Sequence, residues 1–182
     1  MTLGDPPFSY GRYGALGAVV TKRRVFVSYH HGGDQTFYNT FSAVYSEGYQ
    51  LFTDRSLERA YNSDDVDYIR WKIRSEDIKG TSCTIVLIGH QTHLRKFVDW
   101  ELSATLDMQH GLLGIVLPTR QLSLDNKVIV PDRFFRDLQS GHAVMMNWES
   151  VNAATFKTNI ETAVARSAAL INNQAPLRQR NG

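Results

Sequence analysis

The chain has 182 residues, 42% of them hydrophobic and 21% charged, with a single cysteine, which fits one globular domain able to bury a core without disulfides or structural metal. No apolar run approaches the roughly 20 residues that cross a bilayer, and the formal charge of +2 comes from scattered Lys and Arg, so neither a membrane nor nucleic acid is expected as a partner. Cys83 leads into an apolar run and reads as a buried thiol of a reducing compartment.

Residues 1–21 carry Gly and Pro, include Asp5, and lack a basic start followed by a continuous apolar stretch. No secretory signal is expected, and the cytoplasm follows by default. The segment reads as a poorly ordered lead into a single domain over 22–171, followed by a flexible tail over 172–182.

Within the domain, β-rich runs alternate with stretches of helical period. Residues 24–29 form a first buried strand, bounded by His30-His31-Gly32-Gly33. A helix follows through Phe37, Phe41, Val44 and Tyr45, ended by Gly48. Residues 49–53 give a short second strand. Asp64 or Asp65 then caps a helix in which Val66, Ile69, Ile73 and Ile78 share a face. Residues 82–88 form the clearest strand, and their two-sided apolarity suits the centre of a parallel sheet. The spacing predicts a helix over 93–109 that stops at Gly111, then a strand over 112–117. After a less regular stretch over 119–140, a last strand is expected at 143–146 and a closing amphipathic helix over 153–171.

About five strands separated by helices imply an α/β fold, a doubly wound parallel sheet in a three-layer sandwich. In the flavodoxin-like order 2-1-3-4-5, strands one and three are neighbours and ligands bind beyond their carboxyl ends. That order, taken by analogy, brings Ser28-Tyr29-His30-His31-Gly32-Gly33-Asp34 beside Gly89-His90-Gln91-Thr92-His93. Four of the six histidines then share one edge of the sheet.

In the helix after strand three, Leu94, Phe97, Val98, Leu102 and Thr105 or Leu106 mark the buried stripe at spacings of three and four. Glu101 falls on that stripe. A carboxylate directed at the sheet is costly unless its pKa rises or a ligand meets it. The other reading places Glu101 at the stripe's edge, paired with a nearby Arg or reaching solvent.

These residues together resemble the TIR family, most closely the short TIR proteins of the Thoeris anti-phage defence systems. The resemblance rests on residues 24–30 as the first strand, on 83–92 as the third strand and its loop, and on Arg95-Lys96-Phe97-Val98-Asp99-Trp100-Glu101-Leu102 in the following helix. TIR enzymes carry an aromatic residue and then a catalytic glutamate in that helix, and Glu101 occupies the glutamate's place. Phe97 and Trp100 compete for the aromatic role. Residues 132–148 have no counterpart in the resemblance.

The resemblance implies cleavage of NAD+ between ribose and nicotinamide, with NAD+ as substrate, no separate cofactor, and Glu101 as the catalytic residue. It implies substrate contacts from Ser28, Tyr29, His30, His31, Gly32, Asp34, Gly89, His90, Phe97 and Trp100. Tyr29, Trp100 or Phe97 would stack on a ring of the dinucleotide, and His31-Gly32-Gly33 would receive the pyrophosphate at a helix start. In Thoeris relatives the ADP-ribosyl part becomes a cyclic or conjugated signalling nucleotide that activates a separate effector protein during infection. Self-association of TIR domains and a phage-derived trigger belong to the same expectation.

Rival readings remain. The histidines with Asp34 invite a metal site, but the close ligand pair of a zinc helix is absent and no metal is expected. A phosphoacceptor receiver needs acids where Tyr29, His30 and Gly89 stand, and no flavin phosphate loop follows strand one. A non-catalytic TIR adaptor and a nucleoside deoxyribosyltransferase would keep a similar sheet.

Overall fold

The computed structural model describes residues 22–52, 68–69 and 72–182. Its sheet is wholly parallel, five strands in the order β2-β1-β3-β4-β5, formed by β1 (Arg23–Ser28), β2 (Tyr49–Phe52), β3 (Cys83–Ile88), β4 (Gly111–Val116) and β5 (Val144–Asn147). This is the flavodoxin-like order. β3 and β4 are buried along their whole length, which explains why their sequences run apolar instead of alternating.

Helices cover both faces. On one side α1 (His31–Tyr45) and α5 (Ala153–Ala165) pack Tyr38, Phe41, Phe156 and Ile160 onto Val25, Val27, Ile85 and Ile115. On the other side lie α2 (Ile73–Ile78), whose turns are π-helical, α3 (Lys96–Asp107) and α4 (Asp132–Ser140). Val98, Leu102 and Leu106 meet Val86 and Ile88 there, while Ile69, Ile73 and Ile78 close over Phe26 and Trp100. No helix among the described residues is long and apolar enough to cross a membrane.

Four expectations need correction or fall outside view. α3 begins at Lys96, not at residue 93, because Thr92–Leu94 is a separate 3-10 turn and Arg95 is extended. Its end turns left-handed at Gln109, while Gly111 is already the first residue of β4; a Cβ there would press into the backbone of Ala163 in α5. α4 lies inside the stretch read as irregular. Its buried face is Arg133, Phe134 and Asp137, so two of three core contacts are charged residues and leave no apolar stripe to read. α5 stops at Ala165, where Arg166 turns extended. Residues 1–21 and 64–66 lie outside the described residues.

The tail also differs from its composition. Residues 172–182 run along α3: Asn173 Nδ2 donates to Ser103 O (3.0 Å), Arg178 N to Asp99 Oδ2 (2.9 Å), Trp100 Nε1 to Arg178 O (2.9 Å), and Lys96 N to Asn181 Oδ1 (2.9 Å). The polar residues that suggested a solvated end supply hydrogen-bond partners to the helix. Asn181 thereby satisfies one of the N–H groups that an uncapped helix start leaves open.

Candidate active site

β1 has β2 on one side and β3 on the other, and the chain leaves β1 for α1 on one face of the sheet and β3 for α3 on the opposite face. That divergence marks the switch point outside which α/β sheets bind ligands.

Asp34 ties the loops at this switch point together. It is buried near the start of α1, where its Oδ2 accepts from the Thr92 hydroxyl at 3.2 Å and its Oδ1 from the Thr119 hydroxyl at 3.5 Å. The Thr92 oxygen in turn accepts from Gly89 N at 2.8 Å. Three loops, those following β1, β3 and β4, thus meet at one carboxylate. Burial raises the pKa of Asp34, opposed by the Thr92 hydrogen bond, the field of His30, the Thr119 hydrogen bond and the field of His90.

The strand alternation of β1 divides the expected ligand residues. Val25, Val27 and Tyr29 face α1 and α5, whereas Phe26 faces α2 and α3, which puts Ser28 on the side of α3. Tyr29 is stacked between His31 (centroids 4.2 Å apart) and Tyr38 (4.6 Å), and its hydroxyl donates to Gln35 Oε1 at 3.0 Å. Tyr29 and His31 therefore lie across the sheet from Glu101. The His30 ring rests on the two glycines: a Cβ on Gly33 would stand 2.7 Å from His30 Nδ1. The His30 ring thus occupies the space beside these glycines in which side chains would stand.

Glu101 is only 4% exposed. It lies between the row Val98, Leu102, Leu106 and the row Trp100, Ala104, which belong to two separate parts of the core. One turn on, the Thr105 hydroxyl donates to Glu101 O at 2.8 Å and sits 2.6 Å from the Thr84 hydroxyl of β3. α3 ends where β4 begins beside Cys83, so its start points to the carboxyl edge of the sheet. From Thr105 back to Glu101 the helix climbs about 6 Å, the span of about two strand residues. Glu101 is thereby level with Val86, whose partner in β1 is Ser28. The Ser28 hydroxyl is buried without a hydrogen-bond partner.

The aromatic candidates part company. Trp100 is buried, edge-on to Phe97 (5.5 Å, 75°), with its indole N–H given to the tail. It serves packing. Phe97 is half-buried beneath the Lys96 ammonium at 4.9 Å. His90 is exposed on the loop after β3, and His93 is half-buried with Nδ1 unpartnered. Among the described residues no three His, Cys, Asp or Glu side chains converge in a way that could hold a metal.

Sequence reading missed several contributors. Thr84 and Thr105 are polar residues on apolar stripes, the same signal that singled out Glu101. Arg133 carried none: fully buried, it donates through Nε to Asp99 Oδ1 (2.9 Å), two residues before Glu101, and through Nη2 to Ala175 O (3.0 Å) in the tail.

Compared with known families, residues 26–122 match the model described as Thoeris protein ThsB, TIR-like domain. The matched span is more than half the chain and runs from β1 past β4, with Glu101 inside it. No curated protein matches the chain.

Proposed function

The chain belongs to the ThsB TIR-like family of Thoeris proteins, and on that premise we propose that it cleaves NAD+ between nicotinamide and ribose and passes the ADP-ribosyl part into a signalling nucleotide. The observation that carries this reading is the burial of Glu101, 4% exposed on α3, which the helix rise puts roughly level with Val86, the β3 partner of Ser28 at the switch between β1 and β3.

The chemistry suits one carboxylate. As the bond from ribose C1′ to the pyridinium nitrogen breaks, its electron pair returns to the ring, so nicotinamide leaves neutral without needing a proton. Positive charge grows on C1′ and the ring oxygen. An ionised Glu101 stabilises that charge and accepts hydrogen bonds from the ribose hydroxyls. In this reading the Ser28 hydroxyl, buried without a hydrogen-bond partner, orients the sugar. Water then attacks C1′ and loses a proton, giving ADP-ribose, or a nitrogen nucleophile of the adenine does so, closing a cyclic product.

Glu101 has little exposure in the single chain, which fits a site completed by self-association during a phage-derived trigger, with a separate nucleotide-activated effector downstream. Incubation of the purified chain, at concentrations that favour assembly, with NAD+ and separately with deoxynucleosides tests the proposal. Nicotinamide from NAD+ supports it. Free base from deoxynucleosides alone points to a deoxyribosyltransferase instead.

A further inference from the structure

On the flank of α3 turned to α4, a cavity of about 290 Å³ opens between His93, Arg95 and Asp99, the start of α4 at Pro131–Arg133, and tail residues 175–178. Four guanidinium groups line it: Arg95, Arg133, Arg136 and Arg178. Arg133 is committed to Asp99 through the 2.9 Å ion pair. The other three have no carboxylate partner among the described residues; Arg95 reaches only the Gln91 side chain, and its Nε is buried without a hydrogen bond. Asp132 is the single uncommitted carboxylate against them.

Two further features favour negative charge. Pro131, the residue before α4, offers no side-chain cap, so the first N–H groups of that helix and the positive end of its dipole face the same cavity. His93 lines the wall with Nδ1 unpartnered. Its pKa lies below the usual imidazole range, through burial first and then the charges of Arg178, His90 and Arg95, against the opposing field of Asp132. The wall thus sets four guanidinium groups against the two carboxylates of Asp99 and Asp132, an excess of positive charge.

We propose that this cavity binds a phosphate group, free or carried on a sugar, as a site separate from Glu101. A phosphate monoester carries close to two negative charges at neutral pH, and guanidinium forks match its oxygens in pairs. The volume is near the lower end of the range for ligand pockets, a size that suits a phosphate or a phosphorylated sugar.

Calorimetric titration of the full chain with inorganic phosphate and with ribose 5-phosphate tests this. Saturable binding is expected, weakened roughly tenfold for each of Arg136→Gln and Arg178→Gln. Arg166→Gln, at the end of α5, is expected to leave it unchanged. Arg136 is exposed, and Arg178 holds α3 through its backbone N–H and carbonyl, which the substitution keeps. A proton NMR titration should show the His93 pKa rising when phosphate occupies the site. Tighter binding of the sugar phosphate assigns the ligand as a phosphorylated sugar; equal affinities assign the phosphate alone. Binding must survive Glu101→Gln, which keeps this site's outcome apart from that of the NAD+ reaction. No saturable binding of either probe, or binding indifferent to the two arginine changes, overturns the proposal.

Discussion

The Asp34 carboxylate lies so close against the backbone of Gly89 that any side chain at position 89 would overlap it. This contact joins the loop after β1 to the loop after β3. Gly89→Ala is therefore expected to cost about 1–3 kcal/mol, the usual penalty of overpacking, as measured by chemical denaturation. Asp34→Gly in the same chain should recover part of the loss by vacating the space.

Asp34 also makes a prediction about pH. Burial raises its pKa in the folded chain, so the folded state holds the proton more tightly than the unfolded one. The stability this confers is full below the ordinary Asp value of about 3.9 and is lost as pH rises through the higher folded value. Asp34→Asn lacks that dependence. Relative to the variant, the wild-type chain should lose stability as pH rises above ~4 and through the raised folded value; a flat or rising difference would refute the assignment.

Arg133 and Asp99 anchor the start of α4 to α3, and Arg133 also binds the tail at Asn173 Oδ1 (2.5 Å) and Ala175 O. Removing one member of a buried pair strands the other. Arg133→Met is expected to destabilise the chain by roughly 3–5 kcal/mol, and hydrogen exchange should speed up at Trp100 Nε1 and at Arg178 N. Protection unchanged at both sites would show that the tail is held independently of Arg133.

The two threonines beneath Glu101 form a coupled unit, with hydroxyls 2.6 Å apart and Thr105 donating to Glu101 O. Thr105→Val leaves the Thr84 hydroxyl buried and short of its partner, a loss of about 1–3 kcal/mol. Adding Thr84→Val removes the stranded group, so the double variant should be more stable than strict additivity predicts. Additive losses would mean the hydroxyls act independently.

Cys83 is fully buried, and that burial pushes its thiol pKa up to about 12. The folded chain should resist thiol reagents at neutral pH, because the thiolate is the reactive form, and should become reactive only on unfolding. Fast labelling of the native protein would contradict this.

What could be read from the residues follows from how burial patterns sequence. β3 and β4 are apolar runs and α3 carries a clear apolar stripe, so the central unit and the inward position of Glu101 were legible, although the turn signals misplaced both ends of α3. Strand order was legible only through analogy, since nothing local distinguishes which neighbours β1 acquires. α4 escaped because Arg133 and Asp137 replace apolar residues on its buried face. The tail escaped because asparagines and arginines read as solvated until their partners on α3 are seen. Tyr29 was legible as a residue of the right loop, but its face depended on the alternation of β1, and that alternation sends it away from Glu101.

The central claim is that Glu101 stabilises a sugar as it becomes cationic. The most direct measurement is nicotinamide release from NAD+ by the wild-type chain and by Glu101→Gln, with matching circular dichroism spectra as the control for folding. The account predicts release by the wild-type chain and a rate at least roughly 10²-fold lower in the variant, the scale of losing one preorganised electrostatic group. Release by the folded variant at the wild-type rate would contradict it.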